Sequence, residues 1–102
     1  MTLVLESMRD AIAQACERHG VTRLEAFGSA LRDDFRPGGS DVDLLVELGP
    51  MAAYARVDAY FGLRADLRVI LGHEVHLVMV SAVKNPYIAR EIARTKQVLY
   101  AA

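Results

Sequence analysis

Two aspartates one residue apart, Asp41 and Asp43, stand at the head of the apolar run Val42-Asp43-Leu44-Leu45-Val46, and this pair constrains the chain more than any other feature. An apolar run of that length reads as a strand, and a strand points residues i and i+2 to the same face, so both carboxylates share one site. Paired hard oxygens suit Mg²⁺ or Mn²⁺, which take carboxylates, water and phosphate oxygens. Upstream, Gly28-Ser29 closes a short apolar segment. A glycine there lets backbone N–H groups come close to an anion, and the serine hydroxyl adds a donor, so a phosphate can rest on the turn. Metal-binding carboxylates facing such a turn are the parts that nucleotidyl transfer uses.

The elements around this pair follow from spacing. Leu5, Met8, Ile12, Ala15 and Cys16 recur at helical intervals between Thr2, a candidate cap, and Gly20, which predicts one amphipathic helix. Residues 21–27 run into Gly28-Ser29 as a strand, residues 29–33 suit a short helical turn, and Pro37-Gly38-Gly39 marks an irregular loop. The strand over 41–48 stops at Gly49-Pro50. Tyr54, Val57, Phe61, Leu67 and Leu71 approximate the apolar stripe of a helix over 51–71, with Gly72 as its left-handed stop. Residues 74–80 alternate, Val75, Leu77 and Met79 to one face and Glu74, His76 and Val78 to the other. Asn85 before Pro86 caps a further helix through residue 95, and residues 97–100 add a short closing strand. Helices alternating with strands give an α/β (α+β) layer fold: a small mixed sheet of three to four strands, helices packed on one face, the other face open for chemistry. With 102 residues, 53% of them apolar, the whole chain 1–102 makes one domain with a small core.

Gly28-Ser29, the eleven-residue loop 30–40 and Asp41-Val42-Asp43 make the chain resemble the minimal nucleotidyltransferases of the DNA polymerase beta superfamily, with the nucleotidyltransferase fold. Arg32 occupies the family's usual arginine position and Ser40 precedes the first carboxylate. The stretch 71–78 looks like the family's third strand, and 92–100 like its closing helix and strand. The resemblance implies that Asp41 and Asp43 hold metal, that Gly28, Ser29, Arg32 and Ser40 bind the nucleotide, and that AMP from ATP goes to a hydroxyl of a partner protein. It further implies that the partner is a small helical HEPN-type toxin and that this chain is its antitoxin. One position departs: where the family carries a third aspartate between the valine and leucine of that strand, this chain has His76. An imidazole accepts a proton near neutral pH but is a poor Mg²⁺ ligand. Three outcomes stay open: Glu74 supplies the carboxylate, His76 acts as general base, or the chain is a weak or inactive antitoxin that works by protein binding alone.

Each residue also has a plainer role. An Asp-x-Asp pair can be a solvated strand end, and Gly-Ser an ordinary turn; only their order and context give them weight. Arg32 can pair on the surface with Asp33 or Asp34. His19 and His73 suit helix C-terminal caps, and Glu47 a solvated strand end. Tyr54, Tyr60, Phe61 and Tyr87, on helices, suit core positions, as does Cys16. A net charge of −1 with scattered basic residues disfavours nucleic acid as the main partner. One cysteine, no leader pattern and no long uncharged apolar run point to a reducing cytoplasm and no membrane.

Overall fold

The computed structural model describes residues 2–28 and 42–102. Among these residues, four helices and four strands follow in the order α1 (Thr2–Ser7), α2 (Arg9–Arg18), β1 (Val21–Ala26), β2 (Val42–Leu48), α3 (Ala53–Leu71), β3 (Val75–Met79), a 3₁₀ turn (Val80–Ala82), α4 (Pro86–Thr95) and β4 (Gln97–Ala101). The strands form one sheet in the order β3-β2-β1-β4. Strands β1 and β2 pair antiparallel, as do β1 and β4, whereas β2 and β3 pair parallel across the α3 crossover. The sheet is therefore mixed, as expected.

Alternation along β2 decides which face is which. Val42, Leu44, Val46 and Leu48 enter the core with Val75 and Leu77 of β3 and Leu99 of β4, and α1, α2 and α3 close over them through Leu5, Ile12, Cys16, Leu63 and Leu67. Asp43, Leu45 and Glu47 belong to the second face. That face is not bare along its whole length. Helix α4 brings Ile92 over it, 5% exposed, beside Leu45 and Glu25. Buried Glu25 is held there between Arg23 Nε at 3.1 Å and Lys96 Nζ at 3.5 Å.

Two expectations need correction. The first helix is two, because the chain breaks step at Met8 (φ −101°, ψ 7°), whose N–H reaches back only three residues, to the Leu5 carbonyl. The larger correction concerns α3. Its buried stripe is Ala59, Leu63, Leu67 and Leu71, while Tyr54, Val57 and Phe61 are exposed. Strict i, i+4 spacing and a small Ala59 let the helix lie close to the sheet; the bulkier row looks out. Of the four aromatics expected in core positions only Tyr60 packs there, donating its hydroxyl to the Leu77 carbonyl at 2.6 Å, and Tyr54, Phe61 and Tyr87 are exposed.

The punctuation holds. Gly72 ends α3 at φ +68° with its N–H on the Arg68 carbonyl, and Asn85 Oδ1 caps α4 by accepting from the Tyr87 and Ile88 amides, with Pro86 at the first position. Cys16 is fully buried, and burial followed by the Glu17 charge pushes its thiol up to about 12. His19 does end α2, but its ring serves tertiary structure: Nε2 lies 2.7 Å from Asp66 Oδ2 of α3. Among the described residues no helix is long and apolar enough to cross a membrane.

Candidate active site

The site lies where β1 ends and β2 and β3 begin. The parallel pairing of β2 with β3 places the Asp43 and His76 backbones opposite each other, so the register itself brings the two side chains together, with His76 Nδ1 3.3 Å from Asp43 Oδ1. Asp43 is partly sheltered, its side chain 21% exposed, and His76 is open at 64%. Imidazole and carboxylate share the second face, as period-two alternation requires.

Gly28 completes this corner from β1. The chain is guided in by the Phe27 N–H, which donates to the Asp43 carbonyl at 3.1 Å. At Gly28 the backbone turns left-handed, φ +58°, and a Cβ placed there would stand 3.0 Å from Asp43 Oδ2. Glycine is thus required twice, by the dihedral and by the space that Asp43 occupies. The Gly28 N–H reaches Thr95 Oγ1 at 3.5 Å, a long contact, and Thr95 Oγ1 donates to the Glu91 carbonyl at 2.9 Å, which ties the end of α4 to the turn.

A cavity of about 700 Å³ opens over these groups. Gly28, Asp43 and His76 form one polar side and Lys84, Asn85 and Glu91 another, with Val78, Val83, Ile88 and Ile92 as its apolar surface. That volume suits a small cofactor or nucleotide. The α4 wall was not legible in the sequence. Asn85-Pro86 announced a helix, and neither its spacing nor its capping said that it would fold back over β2.

Ser29, Arg32, Ser40 and Asp41, with the 29–33 turn and the Pro37-Gly38-Gly39 loop, lie outside the described residues. Asp43, Gly28 and His76 come together. Glu74 does not join them, because Arg68 Nη2 at 2.7 Å and Arg64 Nη2 at 3.7 Å engage it from α3; of the three outcomes for the missing carboxylate, supply by Glu74 finds no support. Among the described residues no three His, Cys, Asp or Glu side chains converge on one point. Asp43 nevertheless offers the oxygen donors that a hard divalent cation takes, beside Gly28, which has no side chain to obstruct it.

The chain is similar to known proteins in sequence and in fold. The Methanocaldococcus jannaschii protein named putative protein adenylyltransferase MJ0128 is 37% identical over 76 residues, 74% of each chain. The solved structure of a putative minimal nucleotidyltransferase superposes with a TM-score of 0.73 at 29% identity, covering 91% of this chain and 90% of that one. A chain from the complex of tri-AMPylated Shewanella oneidensis HEPN toxin with its MNT antitoxin shares the fold at 16% identity, with a TM-score of 0.64 over 96% of this chain and 73% of that one. A family model for the nucleotidyltransferase domain matches residues 8–99, and the chain belongs to that family.

Proposed function

We propose that the protein is a Mg²⁺-dependent (or Mn²⁺-dependent) nucleotidyltransferase that moves AMP from ATP to a hydroxyl of a partner protein, and that it is the cytoplasmic antitoxin of a HEPN-type toxin. The observation that carries this reading is the corner at Gly28, where a left-handed backbone clears the space beside the Asp43 carboxylate under a nucleotide-sized cavity. The 37% relative bearing the name of a protein adenylyltransferase supports the chemistry, and the shared fold with the MNT complex supports the partner class.

Asp41 and Asp43 hold the metal in this reading, and Gly28 and Ser29 receive phosphate oxygens, with Arg32 and Ser40 steadying the turn. The metal, when bound, neutralises charge on the phosphates. The chain's own task is positioning. An acceptor hydroxyl directed to the α-phosphorus forms the new O–P bond, the bond to pyrophosphate breaks, and His76, exposed at the cavity wall, takes the hydroxyl proton.

The test is co-expression with the product of the neighbouring gene, followed by size-exclusion chromatography and intact mass. A complex whose partner gains AMP is the expected result. Asp41→Asn and Asp43→Asn should remove the added mass and lower the transfer rate by more than about 100-fold, since an amide keeps the shape and loses the charge that binds a hard cation. Full activity in either variant would overturn the metal assignment.

A second reading is favoured by one observation, the imidazole of His76 set against Asp43 where the resembled family carries an aspartate. An imidazole in place of a carboxylate takes one hard-oxygen ligand from the metal. In that reading the antitoxin silences its partner by binding alone, and the complex forms with no added mass.

A further inference from the structure

We infer that Lys84 positions the polyphosphate of the nucleotide from the α4 side of the cavity, an inference that rests on the nucleotide reading above. Most basic side chains among the described residues are already engaged. Arg18 is held by Asp66, Arg64 and Arg68 by Glu74, Arg94 by Glu91, and Arg23 and Lys96 by Glu25. Lys84 has no ion pair among the described residues, and it lines the same cavity as Gly28, Asp43 and His76. Arg56 and Arg90 are also without one, and neither lines that cavity.

The backbone at Lys84 is anchored on both sides. Before it, the Val83 N–H closes the 3₁₀ turn on the Val80 carbonyl at 3.2 Å, and after it Asn85 caps α4. The stem therefore starts from a fixed point on the cavity wall, while the ammonium keeps its reach. The helix end itself offers a ligand little. Asn85 Oδ1 takes the Tyr87 and Ile88 amides, and Pro86 has no N–H, so the positive charge of this wall is the lysine.

Charge around the cavity argues for an anion. Glu91, on the α4 wall, is paired with Arg94 at 2.6 Å, and Asp43 is the carboxylate that the reading above gives to the metal. Among the described residues that line the cavity, Lys84 is left as the cation with no carboxylate partner, on an exposed wall beside Ala82, Val83 and Ile88. A nucleoside triphosphate carries more negative charge than one divalent cation cancels, and the excess lies on the phosphates. The base and sugar carry none. Lys84 thus acts on the tail and not on the nucleoside.

That difference makes the test. With Mg²⁺ present, the whole chain and its Lys84→Ala and Lys84→Arg variants are titrated calorimetrically with α,β-methylene-ATP and with adenosine. Lys84→Ala should weaken the triphosphate about tenfold, the loss expected for one charge-assisted contact. Its adenosine affinity and thermal midpoint should not change, Lys84→Arg should stay within about threefold of the natural chain, and the penalty should shrink as salt rises. Equal triphosphate affinity in the natural chain and Lys84→Ala overturns the inference alone, as does a loss shared equally by adenosine. Lost binding to the partner protein with unchanged nucleotide affinity also overturns it and assigns Lys84 to acceptor docking. A natural chain that binds neither ligand overturns the nucleotide reading together with this one.

Discussion

Replacing Gly28 by alanine imposes two costs at one position. The left-handed dihedral is unfavourable for an L-residue by about 1–2 kcal/mol, and the new methyl meets Asp43 Oδ2 at 3.0 Å. The expected outcome for Gly28→Ala is a stability loss of about 1–2 kcal/mol in urea titration, with a larger loss of transfer activity, because the atom displaced is a carboxylate oxygen of the site. Unchanged activity in a destabilised variant would make the turn structural only. Part of this corner was legible in the sequence, because glycine at the end of a strand announces a close approach, whereas the meeting of Asp43 with His76 is set by the register of β2 on β3. Lys84 was not legible. Its place depends on α4 crossing back over β2, a tertiary event that no local spacing encodes.

Elements hold one another here through few polar contacts, and the one between α2 and α3 carries a pH signature. His19 Nε2 hydrogen-bonded to Asp66, with Arg18 Nη1 at 2.7 Å, holds the Asp66 carboxyl below its ordinary range. A carboxyl depressed in the folded state stabilises the fold above its unfolded value, about 3.9, and loses that contribution as pH falls through the folded value. Asp66→Asn should therefore cost at most about 1 kcal/mol at pH 7, because Arg18 is largely solvated. The difference from the natural chain should close as urea midpoints are followed from pH 5 to below pH 3.9. A constant difference across that range would assign the loss to packing. The helices meet closely enough for this because α3 carries Gly62, where a Cβ would lie 2.6 Å from the His19 ring. The misread face of α3 belongs to the same scale. A helix apolar on two sides does not declare its buried row, and the bulkiest side chains, Tyr54 and Phe61, pointed to the wrong one.

At the scale of the whole molecule, the described residues share one core between the sheet and α1–α3, so single contacts weigh heavily. Leu67, fully buried in the middle of α3, should cost about 2–5 kcal/mol when truncated to alanine, against a total stability of about 5–15 kcal/mol for a domain of ordinary robustness. A lower urea midpoint with an unchanged m-value is the expected signature. A shift under about 1 kcal/mol would mean that the core relaxes into the gap. The mixed sheet and its helical cover were legible because α and β periods alternate along the chain. The α4 flank was not, since only Ile92 of that helix is buried. Cys16 lies at the centre of this core, the only thiol in the chain, closed to solvent and with its ionisation pushed far above neutrality. Alkylating reagents can reach it only when α2 lifts away from the sheet. The rate at which a reagent consumes that sulfur in dilute buffer is thus a clock for spontaneous opening, present in the natural chain without an added label.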